Sequence, residues 1–232
     1  MIVGATHAMT DAVYLSEFFE ANNSSCRVIA VPATVDGNIH HNYIQTSIGF
    51  DTASKVYSQL IGNMLTDSAS AIKYWYFIRL MGKDPSHLAV ECALKTSPNY
   101  VIVSEECKDR NESLEDIVKN LATIIQKRAE KGQNYGCILI PEGLLKHVSS
   151  FNNLIIELNT LFRNCKTSEE SQELQKKLND DTEIKNLLTP WSYSLFNSLP
   201  DFFKQQMLTE REIEGSVKLS QIETEKLIAH FV

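Results

Sequence analysis

Through the first 150 residues, short apolar runs alternate with stretches whose apolar side chains recur at three- and four-residue steps. Such alternation is the pattern of parallel strands joined by crossover helices. The candidate strands are Ile2–Gly4, residues 27–31, Tyr74–Leu80, residues 100–104 and residues 136–140. Each is short and shows little polar alternation, as expected when helices cover both faces of a strand. One mostly parallel, doubly wound sheet is expected, in an α/β domain spanning residues 1–150.

The helices between these strands are well marked. Over residues 51–65, Ala53, Val56, Tyr57, Leu60, Ile61 and Met64 fall on one face, which is expected to be core. Residues 113–131 repeat the pattern with Leu114, Ile117, Val118, Leu121, Ile124 and Ile125, and Gly132 is placed to end the helix. Residues 10–19 and 86–94 supply two more. After residue 150 the strands stop, and residues 151–232 read as a helical insertion or extension. Residues 166–185, rich in Glu, Lys, Gln, Asp and Ser, are expected to be a solvated helical excursion. Thr189-Pro190-Trp191 and Leu199-Pro200 punctuate the next segments, because proline disfavours helix in the residue before it. Ser220-Gln221-Ile222-Glu223 has capping-box spacing and is expected to open a last helix carrying Ile222, Leu227, Ile228 and Phe231. The chain begins in a strand that belongs inside a sheet and stops on an apolar helix, which suggests a segment, or a shortened descendant, of a larger architecture.

Composition narrows the function classes. The 232 residues are 43% hydrophobic, enough for a packed core, and carry a formal net charge of −7. The lysines are scattered, so a nucleic-acid backbone finds no basic stripe. No apolar run reaches the length of a membrane span and no secretory leader opens the chain, so a cytoplasmic location is expected. Cys26, Cys92, Cys107, Cys137 and Cys165 form no CxxC pair and read as structural thiols. His40 and His41 are adjacent, and neighbours in an extended stretch point to opposite faces, so no metal site is expected of them.

Ligands of open parallel sheets bind where loops leave the carboxyl ends of the strands. Four loops qualify: Ala5-Thr6-His7-Ala8, residues 34–38, Met81-Gly82-Lys83 and Pro141-Glu142-Gly143. The first matches neither the GxGxxG fingerprint nor the P-loop. Asp36 is ambiguous by itself: it is a candidate base, and Asp-Gly is also a common turn pair.

Several longer motifs occur in one order: Pro32-Ala33-Thr34-Val35-Asp36-Gly37-Asn38, then Gly49-Phe50-Asp51-Thr52-Ala53, then Lys73-Tyr74-Trp75-Tyr76-Phe77-Ile78-Arg79-Leu80-Met81-Gly82-Lys83. Ile140-Pro141-Glu142-Gly143-Leu144 and Ser220-Gln221-Ile222-Glu223-Thr224-Glu225-Lys226-Leu227 complete the set. Together they resemble the long form of pyrophosphate-dependent phosphofructokinase. The resemblance implies that family's fold, a Rossmann-like mostly parallel sheet with helices on both faces, here an incomplete domain. It also implies a role in glycolysis, with phosphoryl transfer from pyrophosphate to the 1-hydroxyl of fructose 6-phosphate, assisted by Mg2+.

Carried over position by position, Asp36 matches the family's proton acceptor, and Thr34, Val35 and Asp36 match its sugar-phosphate contact. Lys73 and Tyr74 resemble the pair lent to a neighbouring subunit. Met81, Gly82 and Lys83 occupy a Met-Gly-Arg motif, with lysine keeping the charge and losing the bidentate fork. Glu142 matches the carboxylate that accepts hydrogen bonds from sugar hydroxyls. Donor chemistry is poorer. The family's Gly-Gly-Asp-Asp-Ser run aligns with Gly4-Ala5-Thr6-His7-Ala8, so both aspartates are gone, including the magnesium ligand. Ala33 replaces the lysine that meets pyrophosphate, and Asn38 the second acid of the base motif. Losing one electrostatic contributor typically costs about 10²–10³ in rate, and such losses do not add simply. The upstream Gly-rich donor loop and the downstream Tyr-Glu-Gly-Arg motif have no counterpart here.

Thr10-Asp11-Ala12, Pro190-Trp191, Leu195-Phe196 and the closing stretch are most similar to the regulatory α subunit of the plant heteromeric enzyme. One departure separates them: that branch loses the base and keeps the second acid, whereas Asp36 stays here and the acid is Asn38. The expectation is a catalytically impaired, α-like module that pairs with a catalytic phosphofructokinase subunit or with copies of itself. The alternative is part of an active enzyme using Asp36 as base once missing segments or a partner complete the site.

Overall fold

The computed structural model describes residues 1–39, 41–165, 168–178, 181–212 and 215–232. His40 of the adjacent histidine pair, and parts of the solvated helical excursion expected over residues 166–185, lie outside the described residues. The chain opens with β1 (Ile2–Gly4), α1 (Thr6–Ala21), β2 (Ala30–Thr34), β3 (Ile48–Gly49) and α2 (Phe50–Ala71). It continues with β4 (Tyr74–Leu80), α3 (His87–Thr96), β5 (Tyr100–Val101), α4 (Ser104–Asp109), α5 (Leu114–Ala129) and β6 (Tyr135–Pro141). The remainder is helical: α6 (Leu144–His147), α7 (Ser149–Arg163), α8 (Ser168–Leu178), α9 (Asp181–Leu187), α10 (Pro190–Ser198), α11 (Asp201–Thr209), a 3₁₀ turn (Leu219–Gln221) and α12 (Thr224–Phe231).

The architecture is α/β with parallel pairing throughout the strand ladders. The single sheet expected from the sequence is instead two three-stranded sheets, ordered β1-β2-β3 and β4-β6-β5. The two-residue β3 runs directly into α2, which ends the first ladder before β4 begins. β2 also lies later than residues 27–31. Proline is tolerated at its centre because β1 pairs with Ala30, Val31 and Pro32, while β3 takes over only at Ala33 and Thr34. Pro32 therefore falls where one ladder hands over to the next, and its missing N–H breaks neither. The fifth strand stops at Val101 rather than 104, since Ser104 already starts α4.

β6 organises the core. Its Ile138 and Ile140 side chains enter one cluster with Phe151, Leu154 and Leu158 of α7 and Phe203 of α11. Leu139, pointing the other way, joins Ile61, Leu80, Leu88 and Cys92. Both faces of β6 are thus covered, and the helices after residue 150 share one core with the sheet. Capping accounts for the best-marked helix: Ser113 accepts from the Asp116 N–H and Asp116 answers to the Ser113 N–H. Two local expectations fail. Val56, Leu60 and Met64 are exposed, because α2 turns Ser54, Ile61 and Ser68 inward instead. The capping box at Ser220 does not form; that serine lies in the 3₁₀ turn, and α12 begins at Thr224.

Candidate functional site

Three strand ends converge. β2 finishes at the buried Thr34, whose Oγ1 accepts the Asp36 N–H at 3.1 Å, folding the chain over into a tight turn. Gly37 follows with φ +63°, buried, and a Cβ there would lie 2.9 Å from the Phe50 ring. Only glycine meets both demands. His87, the first residue of α3, reaches the turn from the other side, its Nδ1 3.1 Å from the Gly37 carbonyl. A carbonyl only accepts, so that nitrogen carries the proton.

β4 finishes at Leu80 and runs into Met81 and Lys83, both exposed, around the buried Gly82. Gly82 has φ +142°, and a Cβ would press on the Pro85 carbonyl at 2.9 Å. Behind this loop, Glu105 Oε1 accepts the Ser86 N–H at 2.8 Å and Ser86 Oγ accepts the Ser104 N–H at 2.9 Å. These bonds fix the start of α3. The Lys83 ammonium lies 3.5 Å from Glu212.

β6 finishes at Pro141, and the next residue, Glu142, donates its N–H to the Leu80 carbonyl at 2.9 Å. Glu142 is 4% exposed, and its Oε1 has no hydrogen-bond partner. Burial raises its carboxyl above the usual range. Arg79, Lys83 and a hydrogen bond from the Gly82 N–H oppose that rise, and the nearby Asp36 adds to it. Asp36, Arg79 and Lys83 therefore all lie within electrostatic reach of one buried carboxylate.

The structure brings together Thr34, Val35, Asp36, Met81, Gly82, Lys83 and Glu142. It leaves Lys73 and Tyr74 apart, at the amino end of β4, about 20 Å along the strand. There the Lys73 ammonium sits 5.3 Å from the centre of the Tyr74 ring, and Tyr74 is exposed with φ +79°. Neither can reach the Asp36 turn of its own chain.

The loop after β1 is short. α1 starts at Thr6, Ala5 offers its N-terminus no side-chain cap, and a Cβ on Gly4 would collide with the Ala8 Cβ at 2.5 Å. Thr6 and His7 are exposed and bring no carboxylate. Among the described residues, no three His, Cys, Asp or Glu side chains gather to share a cation. The residues of this loop do not fit a hard, oxygen-seeking ion such as Mg2+.

Two residues of the site escape sequence reading. His87 braces the Asp36 turn, and its signal is only its place at the start of a helix. Arg79 donates to the carbonyls of Ser220 and Ile222, the former at 3.2 Å, and pairs with Glu225 at 3.2 Å. Its signal is a lone cation in an otherwise uncharged strand.

The family model for phosphofructokinase matches residues 1–189. The chain belongs to the phosphofructokinase family. It is 42% identical over 99% of its length to the pyrophosphate–fructose 6-phosphate 1-phosphotransferase of Porphyromonas gingivalis, covering 41% of that protein. It is also 42% identical, over its whole length, to subunit alpha 1 of the same enzyme from Arabidopsis thaliana, covering 36% of it. This phosphofructokinase chain thus spans about two fifths of the length of these relatives. The solved phosphofructokinase of Saccharomyces cerevisiae superimposes with a TM-score of 0.50 over 61% of the chain and 18% of that structure, at 21% identity, which bears on the fold alone. Among the described residues, no helix is long and apolar enough to cross a membrane.

Proposed function

We propose that this chain is the acceptor side of a pyrophosphate-dependent phosphofructokinase, an α-like module that binds fructose 6-phosphate and lacks the donor half of the reaction. One observation carries the reading. The buried Glu142, its Oε1 without a hydrogen-bond partner, lies within electrostatic reach of Asp36, Arg79 and Lys83, while the loop after β1 holds no carboxylate.

In this reading the unpartnered Glu142 Oε1 accepts a hydrogen bond from a sugar hydroxyl, which removes the cost of leaving it buried and unpaired. Lys83 meets the sugar phosphate as a point charge, with Thr34, Val35, Met81 and Gly82 shaping the contact. Asp36 holds the place of the proton acceptor. Transfer from pyrophosphate needs cations around the phosphates, and Ala5, Thr6, His7 and Ala33 hold none. Turnover in a complex then takes place at a catalytic partner's own site, which supplies its own base and phosphate-binding cations. Lys73 and Tyr74, remote from this site, serve the neighbouring subunit's sugar site, and residues 151–232 brace residues 1–150 through Arg79 and Lys83. One feature supports assembly: the Arabidopsis relative is named as a subunit. The location in keeping with this chemistry is the cytoplasm.

The test is steady-state turnover of pyrophosphate and fructose 6-phosphate by the purified chain, then by the chain coexpressed with a catalytic family subunit. Little turnover alone and restored turnover in the complex is expected, with Asp36→Asn leaving the complex nearly as active. Turnover by the chain alone at ordinary enzyme rates, about 1–10³ per second, overturns the reading. If Asp36→Asn abolishes activity of the complex, Asp36 is a working base and the chain is part of an active enzyme.

A further inference from the structure

Lys83, the exposed cation of the proposed acceptor site, already has an anionic neighbour: its Nζ lies 3.5 Å from the half-buried Glu212 carboxylate. Exposed ion pairs usually contribute little, because two long side chains give up freedom in order to meet. Glu212 differs in that its backbone is fixed independently of the pair. α11 ends at Thr209, and the chain then doubles back: Arg211 and Val217 form an antiparallel bridge, and the Lys218 N–H donates to the Glu210 carbonyl at 2.9 Å. Within this turn the Glu212 N–H donates to the Ser216 carbonyl at 2.8 Å, and the Glu212 carbonyl accepts the Gly215 N–H at 2.9 Å.

Arg211 pegs the turn to α7. Its guanidinium lies 3.9 Å from the centre of the Phe162 ring and donates to Asn159 Oδ1 at 3.0 Å. The same Asn159 oxygen accepts the Val217 N–H at 2.9 Å. Arg211 also donates to the Met207 and Gly215 carbonyls, at 2.6 and 3.1 Å, so both arms of the turn are tied. Gly215, at φ +84°, runs so close to α7 that a Cβ would come within 3.3 Å of the Phe162 backbone. The helical part of the chain thus holds one carboxylate, with little freedom left to lose, against the cation of the strand-end loop.

A carboxylate and a phosphate are both anionic oxygen acceptors, and near a single ammonium they repel one another. We propose that Glu212 is the built-in counter-ion of Lys83, a positioning residue that a phosphate must displace to reach the ammonium and that thereby sets the affinity of the site. This inference deepens the acceptor-site reading and rests on it for the identity of the phosphate. Because Arg211 and not Lys83 anchors the turn, displacement moves the Glu212 side chain and leaves the backbone of the turn in place.

Two measurements on the full chain test it. The first uses trinitrobenzenesulfonate, an anionic amine reagent, with the labelling rate of Lys83 read by mass spectrometry. Glu212→Gln removes both the charge that repels the reagent and the anion that holds the amine, so labelling of Lys83 is expected to quicken about two- to fivefold. Lys119, paired with Glu115 on α5, serves as the internal reference and keeps its rate. Glu130→Gln removes the same charge from the end of α5 that precedes β6 and is expected to leave Lys83 unchanged. The second is calorimetric titration with inorganic phosphate and with fructose 6-phosphate. Glu212→Gln is expected to bind each about two- to fivefold more tightly, and the difference from the parent is expected to shrink as salt rises. A Lys83 labelling rate unmoved by Glu212→Gln overturns the inference. So does phosphate binding that is unchanged or weaker in the variant, which makes Glu212 a prop for Lys83 and not its competitor, and so does a failure of both anions to bind. Quicker labelling and tighter inorganic phosphate, with fructose 6-phosphate bound by neither chain, uphold Glu212 as the counter-ion and overturn the acceptor-site reading instead.

Discussion

The His87 imidazole donates to the Gly37 carbonyl across 3.1 Å, joining residues fifty apart in the chain. This bond ties the turn that carries Asp36 to the helix that follows Met81-Gly82-Lys83. It lets one movement of α3 displace both halves of the proposed acceptor site. Removing it with His87→Ala is expected to cost about 0.5–1.5 kcal/mol, the usual net worth of a hydrogen bond. Urea unfolding measures that loss, and amide exchange at Asp36 is expected to quicken with it. An unchanged exchange rate means that the turn stands without His87.

Gly37 offers a sharper probe of the same turn. Its φ of +63° costs a side-chain-bearing residue about 1–2 kcal/mol, and the added methyl would sit 2.9 Å from the Phe50 ring. Gly37→Ala is therefore expected to destabilise by more than the backbone term alone. Pairing it with Phe50→Leu should recover the steric part and leave the conformational part, a separation that a double-mutant cycle of unfolding free energies resolves.

How far the sequence reveals this molecule depends on how local the information is. Strands such as Tyr74–Leu80 and helices such as α5 are written in runs and periods, and they form where expected. The division into two sheets is not, because it depends on which strands find hydrogen-bond partners after folding. β2 is misplaced in the sequence for a related reason: Pro32 reads as a stop until its position between two ladders is known. At the site, Asp36, Lys83 and Glu142 stand out as polar residues at strand ends. Arg79 and His87 do not, since each acts through carbonyls fifty or more positions away in the chain.

Arg79 clasps the closing segment to β4 through the Ser220 and Ile222 carbonyls and Glu225. Hydrogen bonds from a charged donor are worth about 1.5–3 kcal/mol. Arg79→Met keeps much of the side chain's bulk and loses these bonds, so a loss of that order is expected in thermal or urea unfolding. Limited proteolysis should then cut first near residues 219–223. Cleavage spread evenly over the chain would show that the closing segment is held by its apolar contacts alone.

The buried Glu142 gives a pH dependence whose sign follows from its raised carboxyl. At pH values well below 4.5 the carboxyl is protonated in both folded and unfolded chains and contributes nothing. As pH rises past 4.5 the unfolded chain releases its proton first, so stability falls until the folded carboxyl also ionises, and then levels. Glu142→Gln removes the titration. The variant is expected to lose this fall and to gain stability relative to the parent at neutral pH, as measured by urea midpoints from about pH 4 to 8. A parent stability that rises over this range while that of the Glu142→Gln variant stays flat would mean the carboxylate is favourably paired in the folded chain.

Five free cysteines make a final, independent check of the fold. The Cys107 thiol is pushed up to about 12, chiefly by burial and then by Glu112, and burial takes the Cys137 thiol to about 11. Cys92 is also buried and raised, whereas Cys26 is exposed. Reaction with a disulfide reagent requires both access and thiolate. At neutral pH the native chain is expected to show one fast thiol, lost in Cys26→Ser, with Cys165 slower and the other three reacting only on unfolding. Fast reaction of Cys137 would mean that β6 does not lie between the two apolar clusters, and the convergence of Glu142 with Asp36 would fall with it.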